Sequence, residues 1–82
     1  MRRRDLPKAH IRLADVHMLR DDYEAAKDEI LAALEIDTTN AEPYRKLATC
    51  YEHLGRPDLV AIAMGEFEAV SRGERPGRKP GE

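Results

Sequence analysis

Residues 7–40 read PKAHIRLADVHMLRDDYEAAKDEILAALEIDTTN, and at Ala41 the pattern starts again as AEPYRKLATCYEHLG. With the second stretch laid over the first, Leu13 falls on Leu47, Ala14 on Ala48 and His10 on Tyr44. A fixed period of this length is the signature of a helical repeat array. Each unit of such an array buries its apolar face against the next. The surface built this way is expected to bind other proteins and to carry no chemistry.

Working outward, apolar residues recur at helical spacing four times. The first helix is expected over about Pro7–Arg20, with Ala9, Leu13, Ala14, Val16, Met18 and Leu19 as its apolar positions. Pro7 suits a first helical position, because its missing N–H would have no partner there. Asp21 and Glu24 form a D-x-x-E capping box for a second helix over about Tyr23–Ile36. Thr39 and Glu42 make a second box, with Asn40 as the alternative cap, ahead of a third helix over about Ala41–Leu54. Gly55 is expected to stop that helix in the left-handed conformation. Pro57 opens a fourth helix, to about Val70. Connections this short make antiparallel neighbours. The expected fold is therefore all-α, two stacked helix-turn-helix hairpins over residues 7–70. A basic arm (1–6) precedes it, and a basic tail (71–82), poor in apolar residues and expected to be disordered, follows.

Composition narrows the function. The net charge of -2 hides a layout in which residues 5–71 hold 14 acids against 7 Lys or Arg, with the basic excess at the two ends. An acidic body repels a phosphate backbone, so nucleic acid is not expected as a partner. One cysteine excludes an intrachain disulfide and allows a reducing compartment, and the expected location is cytoplasmic. No apolar run approaches the length of a membrane span, so no membrane partner is expected. The opening MRRRDLPK lacks the apolar segment of a signal peptide.

The residues at this period resemble the tetratricopeptide repeat. In the first unit the pattern falls on His10, Leu13, Ala14, His17, Ala26, Ile30, Ala33 and Thr38, and in the second on Tyr44, Leu47, Ala48 and Tyr51. The segment DDYEAAKDEILAALEID is close to the family's usual second helix. Ala14, Ala26 and Ala33 are expected to let two helices approach closely, with Leu13 and Ile30 filling the groove beside them. Asp21 stands where the family usually has Gly, Thr38 replaces the usual Pro, and His10 and His17 take aromatic slots. The fourth helix fits two ways. Strict register puts Val60, Met64 and Phe67 at the packing positions, whereas a longer turn puts Ala63, Phe67 and Val70 there.

The resemblance implies a concave face lined by the first helix of each unit. Here that face is Lys8, Ile11, Asp15, Met18 and Leu19, then Glu42, Arg45, Thr49, Glu52 and His53. In the family a Lys and an Asn on this face grip a C-terminal carboxylate. The matching positions here hold Ile11 and Asp15, then Arg45 and Thr49, and Asp15 repels a carboxylate. A greasy patch (Ile11, Met18, Leu19) beside mixed charge suits an amphipathic helix or extended peptide of a partner protein. Neither a Gly-rich phosphate loop nor an H-E-x-x-H motif occurs, so no enzyme activity and no cofactor are expected. Cys50 and His53 lie three apart and are read as a buried thiol beside an imidazole, because a structural zinc site needs closely paired ligands. The run LVAIAM, Leu59–Met64, is apolar all round, which implies burial on more than one side. Leu59, Ile62 and Phe67 are the candidate outward residues of an oligomer interface, a homodimer being the simplest case. Two readings follow: a protein-protein interaction module (adaptor, scaffold or assembly factor), or a self-associating building block without a separate ligand.

Overall fold

The computed structural model describes residues 6–74, and no strand occurs among them. Four helices follow one another: α1 (Pro7–Leu19), α2 (Tyr23–Ile36), α3 (Glu42–His53) and α4 (Pro57–Ser71). Each packs chiefly on its neighbour in sequence, α1 on α2, α2 on α3 and α3 on α4. The chain is thus all-α, two helical hairpins placed side by side.

The repeat period is written into the backbone as well as the side chains. Asp21 (φ 59) and Gly55 (φ 75) both adopt the left-handed conformation that ends the first helix of each hairpin. The N–H of Asp22 donates to the carbonyl of His17 at 2.8 Å, and one repeat later the N–H of Arg56 donates to the carbonyl of Tyr51 at 2.9 Å. Both turns therefore have the same length, so the connection before α4 has not grown. Even so, the one fully buried side chain of α4 is Ala63. It lies one helical turn beyond Val60, the strict counterpart of Ala26, so α4 keeps the turn of strict register and presents the small residue of the alternative.

Capping differs in detail from the sequence reading. Asp21 is spent on the left-handed turn, where its carboxylate accepts the Tyr23 hydroxyl at 3.2 Å. The cap of α2 is Asp22, whose Oδ1 accepts from the Ala25 N–H at 3.3 Å. At α3 the Thr39 hydroxyl turns back to Asp37 (2.6 Å), and the N-cap is Ala41, with Asn40 Oδ1 accepting from the Glu42 N–H at 3.1 Å just ahead of it. The two bonds from Thr39 hold the Asp37 carboxyl below the usual carboxylate range. At the far end α4 runs one residue past Val70, and the N–H of Glu74 closes onto the carbonyl of Ala69 at 2.8 Å. The end of α4 and its closing bonds thus fall within the segment expected as the start of the tail. The arm at 1–5 and the rest of the tail at 75–82 lie outside the described residues.

The core is Ala14, Ala26, Ile30, Ala33, Leu34, Tyr44, Leu47, Ala48, Cys50, Tyr51 and Ala63. Three alanines from α1 and α2 (Ala14, Ala26, Ala33) are completely or almost completely buried, as close helix approach requires. Leu13 departs from expectation: it is 48% exposed, whereas its counterpart Leu47 is fully buried. The cause is position in the stack. Cys50 and His53, one and two turns further along α3, meet Lys27 and Tyr23 of α2, whereas their counterparts on α1, Val16 and Leu19, are exposed. His10 does not act as an apolar filler either; its Nδ1 shares a 2.8 Å hydrogen bond with Glu29 Oε1 and ties α1 to α2.

Two buried side-chain atoms, the Tyr44 hydroxyl and Glu66 Oε2, are poorly served. The Tyr44 hydroxyl is buried and has no hydrogen-bond partner among the described residues. Burial first, then the nearby acids Glu66 and Asp37, push its ionisation upward. A buried hydroxyl without a partner costs about 1–3 kcal/mol. Tyr44→Phe keeps the ring and removes that cost, so the variant is expected to melt at the same temperature as the parent or higher. A clear drop in melting temperature would show that the hydroxyl makes a bond worth keeping.

Candidate functional site

The first helices of the two hairpins, α1 and α3, flank a groove of about 460 Å³. Its lining combines Leu6, Pro7 and Ile11 from the α1 side with Ala33 and Pro43 from α2 and α3. Lys8 and Arg12 stand on the α1 side, whereas Asp37 and Glu42 stand on the other. The groove thus has an apolar lining with cationic and anionic rims. The apolar part exists because Pro43 opens α3 and Ala33 keeps α2 slim where the groove passes over it.

The expected concave residues divide among several environments. Lys8, Ile11 and Glu42 line this groove. Asp15 accepts a 2.7 Å bond from Lys46 Nζ, an ion pair that joins α1 to α3. That pair spends the Asp15 carboxylate on structure, yet at partial exposure it contributes little to stability. Met18 is half-buried and packs on the core. Leu19 is 86% exposed at the end of α1. On α3, Arg45 pairs with Glu42 at 2.6 Å, and the Thr49 hydroxyl donates to the Arg45 carbonyl at 3.3 Å. Glu52 is exposed. His53 stacks flat on Tyr23, ring centroids 3.9 Å apart and planes 1° from parallel.

Sequence reasoning did not single out Arg12, Asp37, Pro43, Lys46 or Tyr23 for this face. Asp37 had a signal, since it opens the capping cluster Asp37–Asn40. Tyr23 was legible only as a helix start, because its partner His53 lies on a different hairpin and no local spacing connects them.

The second helices, α2 and α4, flank another depression, about 550 Å³, lined by Lys27, Leu31, Tyr51, Leu59 and Ile62 among others. Leu59 and Ile62, expected to point outward, lie here half-buried, and Phe67 packs against the core. The large apolar side chains left exposed are instead Leu6, Leu13, Val16 and Leu19 on the α1 side and Ile36 at the end of α2. Within LVAIAM only Ala61 is exposed, so the outermost residue of that run is a small one.

Cys50 is buried, whereas His53 is exposed and stacked on Tyr23. The Cys50 thiol is buried, and desolvation pushes it from 9.0 to about 11, against a smaller pull from Lys27. Among the described residues no group of three or more His, Cys, Asp or Glu side chains gathers where a metal ion would be held. Because the thiolate is the reactive form, Cys50 is expected to resist iodoacetamide in the folded chain at neutral pH and to react fully after denaturation. Mass spectrometry of timed samples checks this, and rapid labelling of the folded chain would show an open thiol. The raised thiol also sets an alkaline limit. Its contribution to stability is intact below about pH 9, where the unfolded thiol begins to ionise, and is lost as pH rises through about 11.

No helix among the described residues is long and apolar enough to cross a membrane. No family model matches the chain, and neither a curated protein nor a solved structure matches it.

Proposed function

We propose that this chain is a protein-protein interaction module, an adaptor, scaffold or assembly factor of tetratricopeptide-like design. Its groove between α1 and α3 takes an extended peptide or an amphipathic helix of a partner. The observation that carries the reading is the groove itself: an apolar lining around Ile11 between the cationic rim of Lys8 and Arg12 and the anionic rim of Asp37 and Glu42. Apolar contact supplies affinity in such a site, and rims of opposite sign fix the direction in which a ligand lies. The resemblance to a repeat family that binds proteins on its first helices supports the same reading.

A displayed library of random peptides, panned against the folded chain, tests it. Selected peptides should share apolar residues flanked by charge. Ile11→Asp should weaken them at least about tenfold, because a carboxylate placed under an apolar ligand is desolvated without a partner. Peptides that bind the variant as well as the parent would remove the groove as the site.

A further inference from the structure

The exposed side of α1 is built like a face that is covered elsewhere in the same molecule. Leu13, Val16 and Leu19 are 48%, 43% and 86% exposed. Their counterparts in the second repeat are Leu47, Cys50 and His53. Leu47 and Cys50 are fully buried, and His53, though still exposed, is stacked on Tyr23 of α2. Thus α1 turns to solvent the face that α3 turns to α2. We propose that a second copy of this chain covers it: the outer side of α4 of one copy packs on the exposed side of α1 of the next, as α2 packs on α3 within the chain. The proposal shares with the groove between α1 and α3 only the exposed cations Lys8 and Arg12.

Three observations favour a second copy as the occupant. The first is register. Tyr23 and Lys27 lie on the side of α2 that meets α3, and their counterparts in the second repeat are Pro57 and Ala61, both exposed. The pair Tyr23–His53 inside the chain becomes Pro57 of one copy against Leu19 of another. The second is shape. Ala61 and Gly65 leave a shallow strip on α4, and a Cβ added at Gly65 meets nothing within 4 Å. That strip can receive the large side chains of α1. The third is charge. Lys8, Arg12 and Arg20 are exposed along α1 and at its end, whereas α4 exposes Glu68 and Asp58, the latter paired with Arg56, and holds no Lys or Arg. The two surfaces are different, so the contact is head to tail and does not close at two copies. One helix per side is at the small end of interface sizes, so the dissociation constant is expected in the range of about 10–100 μM.

Sedimentation velocity of the full chain across a dilution series spanning that range tests the proposal, with the variants Leu19→Glu and Gly65→Arg. Both positions are exposed, so both variants should fold, and circular dichroism melts check that. The parent should grow past the dimer with concentration and shrink again at high salt. Each variant alone should stay monomeric, since one has a spoiled α1 face and the other a spoiled α4 face. Mixed in equal amounts, they should form a dimer and nothing larger, through the two intact faces. A parent that stays monomeric would leave the α1 face to a foreign partner and overturn the proposal. So would variants that still associate singly, or a mixture that stays monomeric.

Discussion

Leu47→Ala is expected to destabilise the domain by about 2–5 kcal/mol, the cost of losing buried methyl groups and leaving a cavity that neighbours fill only in part. Leu47 is fully buried on α3, in one cluster with Ile30 and Leu34 of α2 and Ala63 of α4. A fold of four short helices has few such residues, and small domains are stable by only a few kcal/mol. The variant should therefore be substantially unfolded at room temperature, read as a loss of helical circular dichroism and of a cooperative melt. Leu13→Ala is the internal control. It deletes the same atoms at the same place in the repeat, but Leu13 is half exposed in the monomer, so its cost should stay below about 1 kcal/mol. Equal losses for the two leucines would mean that Leu13 is covered as completely as Leu47.

That contrast shows what the sequence conveys and where it stops. The repeat period was enough to place four helices within a residue or two of their observed ends, because it appears in apolar spacing, in prolines at helix starts and in the left-handed residue that ends each first helix. Asp21 and Gly55 occupy the same φ region for the same reason, a tight reversal of chain direction. Burial was less legible, since a repeat assigns each residue a place within its unit and says nothing about which neighbour is present. Leu13 and Leu47 are indistinguishable in the pattern and opposite in the fold. The same limit applies to α4. Its run LVAIAM is apolar on every side, yet only the fold reveals that Ala61 is the residue facing out and Ala63 the residue facing in.

The binding surface was legible in outline. Lys8 and Ile11 were expected on one face and do line a groove, but its opposite rim comes in part from Asp37, which lies between α2 and α3. Two features escaped because they join distant residues: the Asp15–Lys46 ion pair and the Tyr23–His53 stack each connect different helices. Electrostatic complementarity and ring stacking leave no local period, so spacing arguments cannot find them.

The second large effect expected is at Ala26, where the change is addition of volume. Ala26 is fully buried on α2, in the same cluster as Ala14 of α1, itself fully buried. The two alanines lie on helices that pack on each other, and small buried side chains let backbones come close, which leaves little room for a larger group. Ala26→Leu adds three carbons there and should cost roughly 1–3 kcal/mol, because off-rotamer side chains or a displaced helix must absorb the volume. Helix propensity does not confuse the result, since Leu is nearly as good a helix former as Ala. Ala32→Leu supplies the comparison: it lies on the same helix, only half-buried and outside the core, and should change the melt little. The two substitutions have identical chemistry, so any difference between them measures the crossing of α1 and α2 directly. If both leave the melting temperature unchanged, the two helices do not meet at Ala26 and the hairpin is packed in another register. If only Ala26→Leu lowers it, the closest approach of the first hairpin lies where the alanines put it, and the groove beside α1 inherits its shape from that contact.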